Sequence, residues 1–179
     1  MCVWFRNSFT TLALLLAVVP AGAQVCREDA IVATAGAEQF QEIAPGELHH
    51  ARAKLVWQRC ALGQTWNATA NSCTGSPAYV SWPEALQQAA ALRSADTSRL
   101  WRLPNIKELG SIVEYQCAEP FIDLSLFPST PVGKFWSSTY MPRWTDAMHV
   151  MDFQNGASVL GLGIADGRAY VRLVRDDEE

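Results

Sequence analysis

The chain has 179 residues, 49% hydrophobic and 18% charged, with 18 acidic residues against 14 basic ones. That balance excludes a disordered chain, and the length suits one domain. A net charge of −4 with no basic cluster disfavours nucleic acid and, as far as net charge decides it, polyanions.

The first 23 residues read as a secretory signal. Arg6 supplies the positive start, "TLALLLAVV" the apolar core, and Ala21 to Ala23 a small-residue cleavage site. The apolar run is shorter than the roughly 20 residues a membrane span needs, and no later run is longer. The expected mature protein, residues 24–179, is one exported domain with 13 basic and 18 acidic residues, hence a charge of −5.

Residues 24–53 carry few strong signals, apart from the turn-like "IAPGELHHA" at 43–51. "KLVWQRC" (54–60) has the β-branched and aromatic content of a strand. Beyond the leader four cysteines remain, Cys26, Cys60, Cys73 and Cys117. In an oxidising compartment they make two disulfides, with three possible pairings. Cys60 and Cys73 flank "ALGQTWNATANS", so a local bridge would close a small flap and leave Cys26 to Cys117. Their spacings match no zinc module.

"YVSWPEALQQAAAL" (79–92) is a helix signal. Ser81 with Glu84 forms a capping box, Pro83 sits in the first turn, and Ala85, Leu86, Ala89 and Leu92 recur at helical spacing. "WRLPNIKELGSIVEY" (101–115) is a corner. Pro104 holds Leu103 extended. Asn105 and Glu108 then cap a helix whose expected stripe is Ile106, Leu109, Ile112 and Val113.

"EPFIDLSLFPSTPVG" (119–133) reads as a long packed loop and "KFWSSTY" (134–140) as a strand. "AMHVMDFQNGASVLGLG" (147–163) reads as a hairpin turning at Asn155-Gly156. "GLGIADG" (161–167) reads as a flexible turn, and "AYVRLVR" (169–175) as an alternating terminal strand. The closing "DDEE" reads as a solvated acidic end. Helices followed by a run of strands give an α+β class.

Enzyme signatures are missing from the sequence: there is no serine elbow, "HExxH" or phosphate loop, and the cysteines are used up in pairs. His49 and His50, adjacent on a strand, point to opposite faces and are poorly placed to share a metal. Asp146, Asp152 and Asp166 are the calcium candidates, though they lack the compact pattern that calcium loops show. "NAT" at 67–69 matches a glycosylation acceptor. Trp66 and Trp144 lie in polar contexts, which suits either a recognition surface or a tucked-in anchor.

"LVWQRC", "SWPEAL", "WRLPNIKELGSIVEY", "IDLSLFP", "FWSST", "FQNG" and "YVRLVR" occur in that order. Together they resemble the Lcl C-terminal domain family, named after a Legionella collagen-like adhesin, over about residues 40–175. The stretch before Trp57, "HHARAKLVW", departs from the family's Asp and Thr-Gly turn. "RLPNIKEL" and "YVRLVR" are more distantly similar to formylglycine-generating-type proteins, whose fold is C-type-lectin-like. The resemblance implies a twisted antiparallel sheet with two helices, long irregular loops and two disulfides. The catalytic cysteines of those enzymes have no unpaired counterpart here.

On this basis the protein is expected to be a non-catalytic, adhesin-like module of the periplasm or cell surface that recognises a glycan or a protein. Trp144, Arg143, Asp146 and Asn155 are the expected ligand-binding residues, and no cofactor is implied. A local patch of Arg143, Arg168 and Lys134 could attract polyanions despite the overall charge. Trp101, Arg102, Pro104 and Glu108 are expected to be structural, with Trp101 in the core and Glu108 a candidate partner for Arg102. The alternative is a structural subunit of a pilus or envelope assembly, with trimerisation as one form of it.

Overall fold

The computed structural model describes residues 24–141 and 146–177. Its strands in chain order begin with β1 (Val25–Cys26), β2 (Phe40–Ala44), β3 (Glu47–His50), β4 (Leu55–Gln58), β5 (Thr65–Asn67) and β6 (Ser72–Thr74). The helices α1 (Trp82–Ala95) and α2 (Ile106–Gly110) follow. β7 (Cys117–Ala118), β8 (Lys134–Tyr140), β9 (Ala147–Asp152), β10 (Ala157–Gly163) and β11 (Val174–Asp176) complete the order. Mostly β with two helices, this is compatible with the α+β class.

The antiparallel sheets run β11-β4-β3-β2 and β10-β9-β8, with two-stranded ribbons β1-β7 and β5-β6. Both disulfides form as expected. Cys26–Cys117 joins β1 to β7, and Cys60–Cys73 closes the β5-β6 flap. Among the described residues no helix is long and apolar enough to cross a membrane.

Each capping box does its work. Glu84 Oε2 accepts from Ser81 N and Oγ at 2.8 Å each. Asn105 Oδ1 accepts from Lys107 N and Glu108 N at 2.9 Å, while Glu108 Oε2 accepts from Asn105 N at 2.7 Å. The buried stripes differ from expectation. In α1 only Ala85 and Ala89 are buried, joining the core cluster of Trp101 and Val150, while Leu86 and Leu92 are left exposed. The second helix stops at Gly110, and Ser111 Oγ turns back to donate to Glu108 O at 2.7 Å. Ile112 and Val113 remain in the core from the turns beyond. The chain must turn there because the buried Glu114 carboxylate accepts from Thr34 N, Ala35 N and Gln116 N. That contact clamps the N-terminal segment.

Side chains alternate along the strands between two cores. Trp57, Phe135 and Val174 enter one cluster, with Leu109, Ile122 and Phe153. Their neighbours Val56, Trp136 and Leu173 enter the other, with Trp101, Val150, Ala85 and Ala89. This is the period-two alternation of a strand with both faces covered.

The terminal segment departs most from its sequence reading. Only Val174–Asp176 is a strand, and residues 169–173 form a seam. Tyr170 bonds β8 through Tyr170 N→Lys134 O and Trp136 N→Tyr170 O, both 2.9 Å. Val171 O accepts from Leu62 N, and Leu173 O from Gln58 N. Between these partners Val171, Arg172 and Leu173 are fully buried, while Tyr170 stays partly exposed. Arg172 donates to Gln58 O at 2.9 Å, to Arg59 O, and to Thr130 Oγ1 at 2.6 Å, with its guanidinium 4.8 Å over Phe127. Burial without a carboxylate pulls its pKa down to about 9, so it stays charged at neutral pH on dipoles alone. "GLGIADG" also differs, since its first three residues extend β10.

Candidate functional site

Of the four expected ligand-binding residues, Arg143 and Trp144 lie outside the described residues. Asp146 is exposed just before β9. Asn155 is in the turn after that strand, where its Oδ1 accepts from Ala157 N at 3.0 Å. The six residues of β9 separate the two by roughly 20 Å at the usual strand rise, so they do not share one site. The calcium candidates divide likewise. Asp146 and Asp166 line one shallow hollow, while Asp152 is at the far end of β9. Among the described residues no three His, Cys, Asp or Glu side chains are placed to hold a metal ion. Of the expected basic patch, Arg143 lies outside the described residues, and Arg168 pairs with Glu84 at 3.2 Å.

Trp66 is on β5, not in a loop, and is partly buried. Gly46 turns the β2–β3 hairpin at φ +80°, and a Cβ there would fall 2.9 Å from Trp66 Cβ. The Arg59 guanidinium stacks 4.1 Å over the indole and also pairs with Glu42 at 3.2 Å. Trp66 is thus held in place by its neighbours, and Trp144, read alongside it in the sequence, lies outside the described residues. Trp66, Trp101, Glu47 and Arg99 line a cleft of about 280 Å3. Its polar groups are largely committed: Glu47 holds Arg99 at 3.0 Å and Arg175 at 3.2 Å.

The corner motif is structural in its geometry. Trp101 is buried, with Arg175 5.5 Å over its ring, and Pro104 O accepts from Ser138 N at 2.7 Å. Arg102 forks onto both oxygens of Glu108 at 2.9 Å and reaches Asp176 at 2.6 Å. The bond to Glu108, reinforced by Asp176, raises its pKa above the usual value despite the opposing effect of burial. The acidic end makes ion pairs: Asp176 stays 75% exposed while Asp177 is partly buried, and Glu178 and Glu179 lie outside the described residues. Asp176 meets Arg102, and Asp177 Oδ2 lies 2.8 Å from His49 Nε2. His50, on the opposite face of β3, is buried and stacked on Phe40 at 4.3 Å. Burial, with His49 and Arg52 adding to it, lowers its pKa and keeps the ring neutral.

The surface best built for recognition is one that sequence reasoning missed. The bridge Val80↔Ala169 makes Tyr79 the cross-strand neighbour of Tyr170, and their rings lie 5.0 Å apart at 54°. Tyr79 is 54% exposed. Phe135 supports Tyr170 from beneath, 5.6 Å away. Lys134, Asp152 and Gln154 complete a hollow of about 260 Å3, because β8 and β9 set Lys134 opposite Asp152. Among the described residues the Tyr79 and Tyr170 hydroxyls, the Lys134 ammonium and the Gln154 side-chain amide have no hydrogen-bond partner. Aromatic faces beside free donors and acceptors can stack a ring and bond its edge. The sequence reading places Tyr79 at the head of the helix signal 79–92, whereas α1 starts only at Trp82. The partner of Tyr79 is 91 residues away, so no short-range pattern could reveal the pair.

Residues 46–175 match the sequence model of the family described as Lcl C-terminal domain. The match starts at the β2–β3 turn and ends within β11, leaving β1, β2 and the N-terminal clamp outside it. No curated protein and no solved structure matches the chain.

Proposed function

The chain belongs to the Lcl C-terminal domain family, and from that membership we propose an exported, non-catalytic, adhesin-type module that binds a glycan at the Tyr79–Tyr170 shelf. The family's adhesin association and the two disulfides support export and attachment. A C-type-lectin-like arrangement of the sheets and helices belongs to the same proposal. The observation that carries it is the exposed Tyr79, paired with Tyr170 and set beside Lys134, Asp152 and Gln154. The reading calls for no metal, because the shelf holds a single carboxylate, Asp152, set opposite the Lys134 ammonium.

The test is a glycan array with oxidised protein, run with calcium and with chelator. Saturable binding that survives chelation and disappears in Tyr79→Ala supports the reading. A blank array from folded protein overturns it.

A second reading, a subunit of a surface assembly, is favoured by one feature. β2 and β10 are open sheet edges, and Leu160 on β10 is 58% exposed. A stable oligomer in light scattering that a proline within β10 dissolves would support it.

A further inference from the structure

Resting on the glycan reading, we propose that the shelf recognises one uncharged hexose-type ring, with Asp152 and Gln154 as its specificity-determining residues. The hollow, about 260 Å3, lies below the ~300–1,000 Å3 typical of larger small-molecule ligands, which matches a single ring over a chain. One wall is aromatic, formed by Tyr79 and Tyr170 tilted at 54°. The facing groups alternate in hydrogen-bonding character. Asp152 is an acceptor, Lys134 a donor, and Gln154 and the tyrosine hydroxyls are both. Vicinal hydroxyls, each able to donate and accept, complement that mixture. A carboxylate or sulfate would find one ammonium set against one carboxylate.

Asp152 distinguishes this hollow from an ordinary surface dip. It is 7% exposed, and its Oδ1 accepts from Gln154 N at 2.9 Å, which fixes the carboxylate and leaves Oδ2 for a ligand. The backbone beneath is equally fixed. Phe153 N donates to Gly133 O and Tyr170 N to Lys134 O, both at 2.9 Å. Gly133 lies in ordinary contact range of the Tyr170 ring, where a Cβ would stand 3.4 Å from Cε2. A site whose walls are already ordered loses little entropy on binding.

The experiment is titration of the oxidised protein with methyl glycosides of neutral hexoses, a hexuronic acid and a sulfated hexose, at low and physiological salt. Neutral glycosides are expected to bind with little salt dependence and no effect of chelator. Asp152→Asn and Tyr79→Ala should each weaken them about tenfold or more. Because Asp152 is buried, its variant is read only with an unchanged melt, and Gln154→Ala serves as the exposed counterpart. Binding that requires the charged sugars, or falls steeply with salt, overturns the uncharged-ring inference while leaving the glycan reading standing. Neutral binding unaffected by Tyr79→Ala and Gln154→Ala overturns this site. No binding of any sugar, together with a blank array, overturns both.

Discussion

Replacing Arg102 with methionine tests whether the corner is a fastening or a binding element. Methionine keeps most of the aliphatic stem and removes the fork. The two bonds to Glu108, at 2.9 Å, join side chains that are 33% and 16% exposed. Such a charge-assisted, partly buried fork contributes about 1.5–3 kcal/mol. Asp176 is 75% exposed, so its 2.6 Å contact adds at most about 1 kcal/mol. Glu108 keeps Asn105 N at 2.7 Å, which limits the desolvation penalty left behind. The backbone pair Arg102↔Val174 is untouched. The expected loss is about 2–3 kcal/mol, which for a chain of this size lowers Tm by about 5–10 °C. Thermal and urea melts of Arg102→Met, Glu108→Gln and the double variant measure it, with an expected coupling of about 1–2 kcal/mol. An unchanged Tm, or Asp176→Asn costing as much as Arg102→Met, would refute the reasoning. Glycan binding should survive in the folded variant.

Disulfide removal should be unequal. Cys26–Cys117 spans 91 residues and Cys60–Cys73 only 13. Chain entropy then assigns about 4–5 and 3 kcal/mol respectively, so paired serine substitutions compared in urea should follow that order. Arg172→Met should cost about 2–3 kcal/mol, since it removes the donor to the buried Arg59 O and the part-buried Gln58 O, while Thr130 Oγ1 keeps its bond to Phe127 O, and the same denaturation assay reads it. His50 has a folded pKa below its unfolded value near 6.5, so the unfolded chain binds more protons as pH falls from there. Its contribution is complete above 6.5 and is lost as pH drops through the folded pKa; His50→Phe should flatten the stability profile in that window. Gly46→Ala should destabilise by about 1–3 kcal/mol and alter Trp66 fluorescence, because φ is +80° and the new Cβ meets the indole.

Features that depend on neighbours in the chain were legible from the sequence. The Ser81 and Asn105 capping boxes, the Asn155-Gly156 turn and the Arg102–Glu108 pair each lie within a few residues, where local geometry fixes the contact. The disulfide pairing followed because one cysteine pair is local, leaving the other two to each other. Tertiary packing decided the rest. "AYVRLVR" has the alternation of a half-exposed strand, but partners on both sides bury Arg172 completely. That Asp176 and Asp177 find ion-pair partners in Arg102 and His49 also depends on segments distant in the chain. Asp146 and Asn155, both polar residues of one hairpin, were separated by the length of the strand between them. Tyr79 and Tyr170 meet only because the seam brings Ala169 against Val80. Capping and turn formation are short-range and written in residue type; a recognition surface assembled from distant segments depends on which strands find one another, and no local pattern encodes that.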